Sequence, residues 1–288
     1  MRIAAVRDPS GKSYGTLQNN HFRPLLVSGA AVRDLRHVIS LVGEGARILE
    51  HGTPRPMANV KLAAPVGPLH KNIMCVGKNY QDHAQEFARS GIDQSGDQEE
   101  VPEEPIIFTK AASSLADPFQ PIPASSDPTS SVDYEGELGF VIGKRCRNVK
   151  RADALDYVFG YTIVNDVTAR FVQQKHKQWF LGKSLDGFCP VGPFVVTRDE
   201  FGKPDAQEIA TYVNDERRQF ACLRDLIFDV GTIIETISTY ATLEPGDLVA
   251  TGTPAGVGIG FSPQRFLVPG DTVRVSIGGI GDLVNPVA

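Results

Sequence analysis

Apolar residues recur in two rhythms along this chain. At Val32, Leu35, Val38, Ile39 and Val42 they fall three and four apart, which predicts a helix over 32–42 with Gly43 as its stop. Ile227, Val230, Ile233, Ile234 and Ile237 repeat that spacing and predict a second helix over 226–240, and 80–88 reads as a shorter one. Elsewhere short β-like runs prevail, at 3–6, 14–17, 73–76, 106–109, 134–142, 157–165, 191–197, 208–213, 247–250 and 272–277. Pro9-Ser10-Gly11 reads as a hairpin turn between the first two, and Thr53-Pro54-Arg55-Pro56 as a linker. Strands outnumber helices and do not alternate with them strictly, so the expected fold is β-rich α+β rather than a doubly wound sheet. The linker suggests a small N-terminal domain, 1–67, ahead of a larger one, 68–288.

Composition narrows the function classes. The 288 residues include 28 Gly and 20 Pro, which suits many short strands joined by turns better than a helical bundle. Net charge is −5 and no basic block occurs, which argues against a nucleic-acid partner. The apolar stretch near the start covers four residues, too short for a signal-peptide core, and no apolar run could span a bilayer. Cys75, Cys146, Cys189 and Cys222 are far apart and form no CxxC pair, so reduced thiols are expected and the chain reads as cytoplasmic.

The residues with chemical potential come in four ordered segments. In Asp133-Tyr134-Glu135-Gly136-Glu137-Leu138, strand alternation puts three carboxylates on one face. Such a row needs solvent, basic partners or a cation. Asp166 ends the apolar run 161–164 in Val164-Asn165-Asp166-Val167-Thr168-Ala169-Arg170; a strand-end ligand and a helix N-cap are both open readings. Lys183 follows the chain's one tryptophan, Trp179, in an apolar setting, either buried against an anion or on an exposed turn. Gly246-Asp247-Leu248-Val249-Ala250-Thr251-Gly252-Thr253-Pro254-Ala255-Gly256-Val257-Gly258 is glycine-rich enough for a backbone to approach a ligand, but lacks the GK[ST] of a phosphate loop.

Taken together in this order and spacing, VDYEGELGFVIG, VNDVTAR, GKSLDGFCPVGPF and GDLVATGTPAGVG resemble the fumarylacetoacetate hydrolase family, in particular its bacterial-type, acylpyruvase-like members. The likeness runs from about residue 72 to the C-terminus; 1–69 is similar to the small N-terminal domain of such proteins. It implies the family's mixed β fold, a homodimer, and Mg²⁺ or Mn²⁺ held by Glu135, Glu137 and Asp166. An all-carboxylate donor set is hard and suits those ions over zinc. The resemblance further puts Lys183 among the catalytic groups and Gln173, Thr253 and Lys78 at the substrate. Family members commonly carry arginine at position 78, and lysine keeps the charge without the forked geometry. His83 and Glu86, three apart and so neighbours on a helix, match a His–Glu pair that smaller members use as a water-activating base.

The implied activity is hydrolysis of a C–C bond in a 2,4-diketo acid of acylpyruvate or fumarylpyruvate type, with the cation as Lewis acid. The same logic would serve oxaloacetate decarboxylation, 2-hydroxy-dienoate isomerisation, or lyase chemistry on a ureido or sugar acid. A non-catalytic metal-binding module is the reading from another class. The polar stretch 90–105, just after His83 and Glu86, is either a solvated loop or a lid.

Overall fold

The strand Gly136–Ile142 lies at the centre of a long mixed sheet. It runs antiparallel to Val158–Asn165 on one side and to Leu248–Ala250 on the other. The computed structural model describes residues 1–9, 11–43, 50–91 and 101–288. Among these, the sheet continues from Val158–Asn165 through Cys189–Thr197 and Arg2–Asp8 to the hairpin Gly11–Gln18 and His21–Val27. In the other direction Leu248–Ala250 pairs in parallel with Ile73–Gly77, and Ile106–Lys110 forms the edge. A second, four-stranded antiparallel sheet has the order Glu216–Cys222, Glu208–Val213, Thr272–Ile277, Gly281–Pro286.

The second sheet packs on the first. Gly136 is what lets them meet: a Cβ there would stand 2.2 Å from Thr211 Oγ1. Leu138, Phe140 and Ile142 enter the core between the sheets with Ile209, Val273 and Val275, and the helix Val230–Tyr240 adds Ile233, Ile234 and Ile237. Val141 points the other way, into a core that also holds Ile3, Leu25, Leu35, Val38, Val191 and Leu248. All seven residues of Gly136–Ile142 are therefore buried. The strands of the first 67 residues join the large sheet through Arg2↔Val196 and Ile3↔Val195, and share that second core. No described helix is long and apolar enough to cross a membrane.

The strand-rich mixed architecture agrees with the pattern of short β runs, and most of those runs are strands within a residue or two. The differences have local causes. The helix expected over 32–42 is Leu35–Gly43, because Asp34 Oδ1 accepts the Arg36 amide at 2.8 Å and starts it there. The helix expected over 226–240 is Val230–Tyr240, capped by Asp229, whose side chain accepts from the Thr232 amide. The amides of Ile227 and Phe228 go instead to the Asn79 backbone oxygen and Oδ1. Arg55–Pro56, read as linker, pairs with His21–Phe22. The run expected over 134–142 is broken: Val132–Asp133 pairs with Thr168–Ala169, and the central strand begins only at Gly136. Of the stretch 90–105, residues 92–100 lie outside the described residues, and so does Ser10 in the expected hairpin turn.

Candidate active site

Glu135 and Asp166 meet because two antiparallel strands end together. Gly136 pairs with Asn165, the Glu135 amide donates to Asn165 Oδ1 at 3.0 Å, and the Asp166 amide donates to the Glu135 carbonyl at 2.8 Å. Glu137 is the second residue of the central strand, on the side of Glu135. One carboxylate oxygen from each of the three lies within 4.8 Å of the other two. None is solvated: Glu135 is 5%, Glu137 1% and Asp166 0% exposed. A wetted acidic strand face is thus ruled out. So is the cap reading of Asp166, since the helix Arg170–His176 has Ala169 at its N-cap position.

Buried cations surround this triad. Lys183 Nζ bridges Glu135 Oε2 at 2.7 Å and Asp166 Oδ2 at 2.8 Å, so it is not on an exposed turn. Lys110 Nζ reaches Asp166 Oδ1 at 2.6 Å and donates to the Val167 carbonyl. Arg170 places Nη1 2.7 Å from Glu135 Oε1 and Nε 2.8 Å from Asp133 Oδ2. Burial opposes ionisation of Glu135, yet Lys183 and Arg170 bring its carboxyl down to about 2. Glu137 is pushed the other way, well above 4.5, by burial and then by the charges of Asp166 and Glu135; the Gly252 amide, which donates to it at 2.7 Å, only partly offsets them.

Glu137 is the observation that tests a cation here. A fully buried carboxyl beside two others ionises readily only if positive charge arrives. Three hard oxygen donors converging from separate elements fit a divalent ion such as Mg²⁺ or Mn²⁺. A pH effect follows. The cation-free fold keeps a proton on Glu137 that the unfolded chain has released above pH 4.5. That group's contribution to stability therefore falls as pH rises above 4.5 through the raised value. Urea unfolding in chelator should show stability declining between roughly pH 5 and 8, and saturating Mn²⁺ should remove the decline. A flat profile in chelator would mean that Glu137 does not hold the proton.

The remaining expected residues gather at one cavity beside the triad. Lys78, His83, Gln173, Lys183 and Thr253 line it together with Glu135, and Phe87, Phe108 and Trp179 form its apolar wall. The space between these side chains, its open mouth to solvent included, is about 310 Å³. His83 and Phe87 lie on the buried face of the helix Gln81–Arg89. Glu86 stands behind His83, outside the lining, with Oε2 3.2 Å from His83 Nδ1. The Gly256 amide donates to Glu86 Oε1 at 3.0 Å and fixes that carboxylate in turn. Gln173 sits one turn from Arg170 on the helix Arg170–His176, three residues apart and on the same face. Gly182 lets the turn Phe180–Lys183 lie against it; a Cβ at Gly182 would meet Gln173 backbone at 2.6 Å.

Two strongly constrained segments hold the cavity's polar rim. Lys78 has φ +52, an uncommon conformation for a side-chain-bearing residue, and such strain persists only where neighbours fix it. Asn79 does so: its Nδ2 donates to the Thr251 and Phe228 carbonyls at 2.7 and 3.0 Å. Thr253 Oγ1 donates to the Gly136 carbonyl and accepts from Gln219 Nε2 at 2.7 Å.

Sequence reasoning passed over Lys110, Arg170, Asn79 and Gln219. Arg170 lay inside a quoted motif, and Lys110 closes the apolar strand Ile106–Lys110, which is the one signal that singled it out. Asp133 shares sequence parity with Glu135 and Glu137 but turns away from them, accepting the Gly258 and Ile259 amides at 2.7 and 3.0 Å as well as Arg170.

Comparison with known proteins gives the family of the chain. The family model "Fumarylacetoacetate (FAA) hydrolase C-terminal" matches residues 72–288. An oxaloacetate tautomerase of Bacillus subtilis is 39% identical, covering 95% of this chain and 98% of that protein. A fumarylacetoacetate hydrolase from Exiguobacterium antarcticum superposes with TM-score 0.81 at 39% identity, over 100% of this chain and 99% of the other. A maleylpyruvate hydrolase from a Sphingobium species, solved with manganese(II) and pyruvate, gives 0.76 at 31% identity with coverage of 100% and 99%. With three quarters of its length matched by the family model, and a relative this similar along nearly all of it, the chain belongs to the fumarylacetoacetate hydrolase family.

Proposed function

We propose that this chain interconverts the enol and keto forms of a short 2-oxo dicarboxylic acid such as oxaloacetate, with a divalent cation held by Glu135, Glu137 and Asp166. One observation carries the reading: His83, backed by Glu86, and Glu135 of the carboxylate triad line the same cavity. The likeness to the oxaloacetate tautomerase over nearly the full chain supports it further.

When bound, the cation supplies Lewis-acid stabilisation of negative charge growing on the 2-oxo oxygen. The rest falls to the chain's own side chains. With Nδ1 facing Glu86, His83 has Nε2 free to act as base. Nε2 takes the enol hydroxyl proton, and the resulting imidazolium gives that proton to C3. Glu86 holds the ring in place. Lys78, Gln173 and Lys183 orient the carboxylates, and Thr253 lines the cavity beside them. Phe87, Phe108 and Trp179 exclude bulk water.

Cleavage of a 2,4-diketo acid is the second reading. The likeness to a maleylpyruvate hydrolase favours it, and there Nε2 would take its proton from an attacking water. Absorbance of the enol, followed beside a coupled assay for pyruvate, separates the two. The Mn²⁺-loaded protein should consume oxaloacetate enol without releasing pyruvate. Release of pyruvate and a second acid from an acylpyruvate, with no effect on the enol, would overturn tautomerisation in favour of hydrolysis. A homodimer belongs to the proposal as well, and a monomeric mass in solution would count against it.

A further inference from the structure

We propose that Lys110 keeps the triad one negative charge short of what a divalent cation needs, so that the cation and a carboxylate-bearing ligand bind cooperatively. The proposal rests on the triad holding such a cation.

The charges in contact with the triad can be counted. Glu135, Glu137 and Asp166 carry three negative charges when ionised. Lys183 and Lys110 return two positive ones, each at 2.6–2.8 Å from a triad oxygen. Arg170 is neutralised by Asp133, which lies 2.8 Å from its Nε and has no exposure of its own. The thiols Cys75 and Cys189 are also near and contribute no charge: burial pushes both up, Cys189 to about 12. With all three carboxylates ionised, the site without the cation carries one net negative charge, which a proton on Glu137 cancels; with the cation bound it carries one net positive charge.

An uncompensated charge is costly in a site sealed from water. Glu135, Glu137, Asp166, Lys110 and Lys183 are all buried. A ligand carboxylate entering the adjoining cavity restores balance. The cation alone therefore binds weakly, and the ligand alone lacks its counter-charge. Each raises the affinity of the other by the same factor, because linkage is reciprocal.

Lys110 is the residue that sets this. Lys183 lines the cavity, where a ligand can reach it, but Lys110 does not. It is 0% exposed, and its ammonium is committed to Asp166 Oδ1 and the Val167 carbonyl. Its charge opposes the cation in every state of the site and contributes nothing by touching substrate.

Calorimetric titration of the full chain with Mn²⁺, with and without oxalate, tests the idea without turnover. Oxalate carries two carboxylates and is not a substrate for enolisation. Mn²⁺ affinity should rise at least about tenfold when oxalate is saturating, within the usual range for coupled sites. In Lys110→Met, Mn²⁺ alone should bind more tightly than to the natural protein, and the gain from oxalate should shrink. Lys110→Arg, which keeps the charge, should retain the coupling. Equal Mn²⁺ affinity with and without oxalate overturns the cooperativity in the natural protein, whatever the variants do. Weaker or unchanged binding in Lys110→Met, with coupling intact, overturns the assignment to Lys110. Failure of the natural protein to bind Mn²⁺ under either condition sinks the triad reading itself, a distinct result.

Discussion

Glu135→Gln should abolish cation binding and turnover together while leaving the protein folded. Glutamine is close in shape and keeps a carbonyl that Lys183 and Arg170 can donate to. It removes one of three anionic ligands, however, and the site is already balanced by buried lysines. Loss of an outer-shell partner of a metal commonly weakens binding 10–100-fold, so loss of a direct anionic ligand should weaken Mn²⁺ binding by more than about a hundredfold. Stability suffers less. Breaking a buried ion pair costs about 3–5 kcal/mol when a charge is left with nothing, but here Lys183 retains Asp166 and Arg170 retains Asp133. The thermal midpoint of the natural protein should rise with added Mn²⁺ and that of the variant should not. A variant that binds Mn²⁺ as tightly as the natural protein would remove Glu135 from the ligand set.

The ordered motifs and the resemblance they carry named the three carboxylates, and the structure gathers them because their geometry is local. Glu135 and Glu137 are two apart on an extended segment, and Asp166 ends the strand that pairs with theirs. Alternation and strand termination are sequence properties. The side chains gathered at the cavity, Lys78, His83, Gln173, Lys183 and Thr253, were named through ordered motifs, and the fold brings them to one place. Their individual roles remain part of the proposal.

The counter-charges were not legible, and the reason is distance along the chain. Nothing near Lys110 in sequence indicates that its ammonium meets Asp166, and nothing near Asp133 indicates that it meets Arg170 and two amides of the loop at 258–259. Alternation put Asp133 with Glu135 and Glu137, but the break at 134–135 re-aims it. Helix starts went astray for a smaller reason. Apolar spacing continues through Val32 and Ile227, whereas Asp34 and Asp229 cap the helices a few residues later. Among the described strands of six or more residues, three were overlooked. His21–Val27 and Gly281–Pro286 contain prolines, and Glu216–Cys222 is an edge strand with exposed charges, so none has the run of apolar residues that marks a buried strand.

Replacing His83 with alanine should lower kcat about 10²–10⁴-fold, the usual worth of a positioned acid–base group, with Mn²⁺ affinity unchanged. The base is singled out by what else lines the cavity. Lys183 is held protonated: burial works against it, but Asp166 and Glu135 raise its pKa, so it cannot accept a proton near neutral pH. Arg170 stays charged for the same reason, with Asp133 and Glu135 overcoming its burial. Glu135 is drawn down to about 2 and would face the cation. Lys78 and His83 are left, and of the two an imidazole is the ordinary base near neutral pH; His83 is backed by Glu86. Because Glu86 is fixed by the Gly256 amide independently of His83, removing the imidazole should not unmake the wall around it. Glu86→Gln should give a smaller loss than His83→Ala, since the amide can still accept from Nδ1 while stabilising the imidazolium less. The pair thus separates from the triad by measurement: His83→Ala loses rate and keeps metal, Glu135→Gln loses both. If His83→Ala retains full turnover with oxaloacetate and with acylpyruvates, the imidazole is a bystander, and the proton must move through solvent or substrate instead.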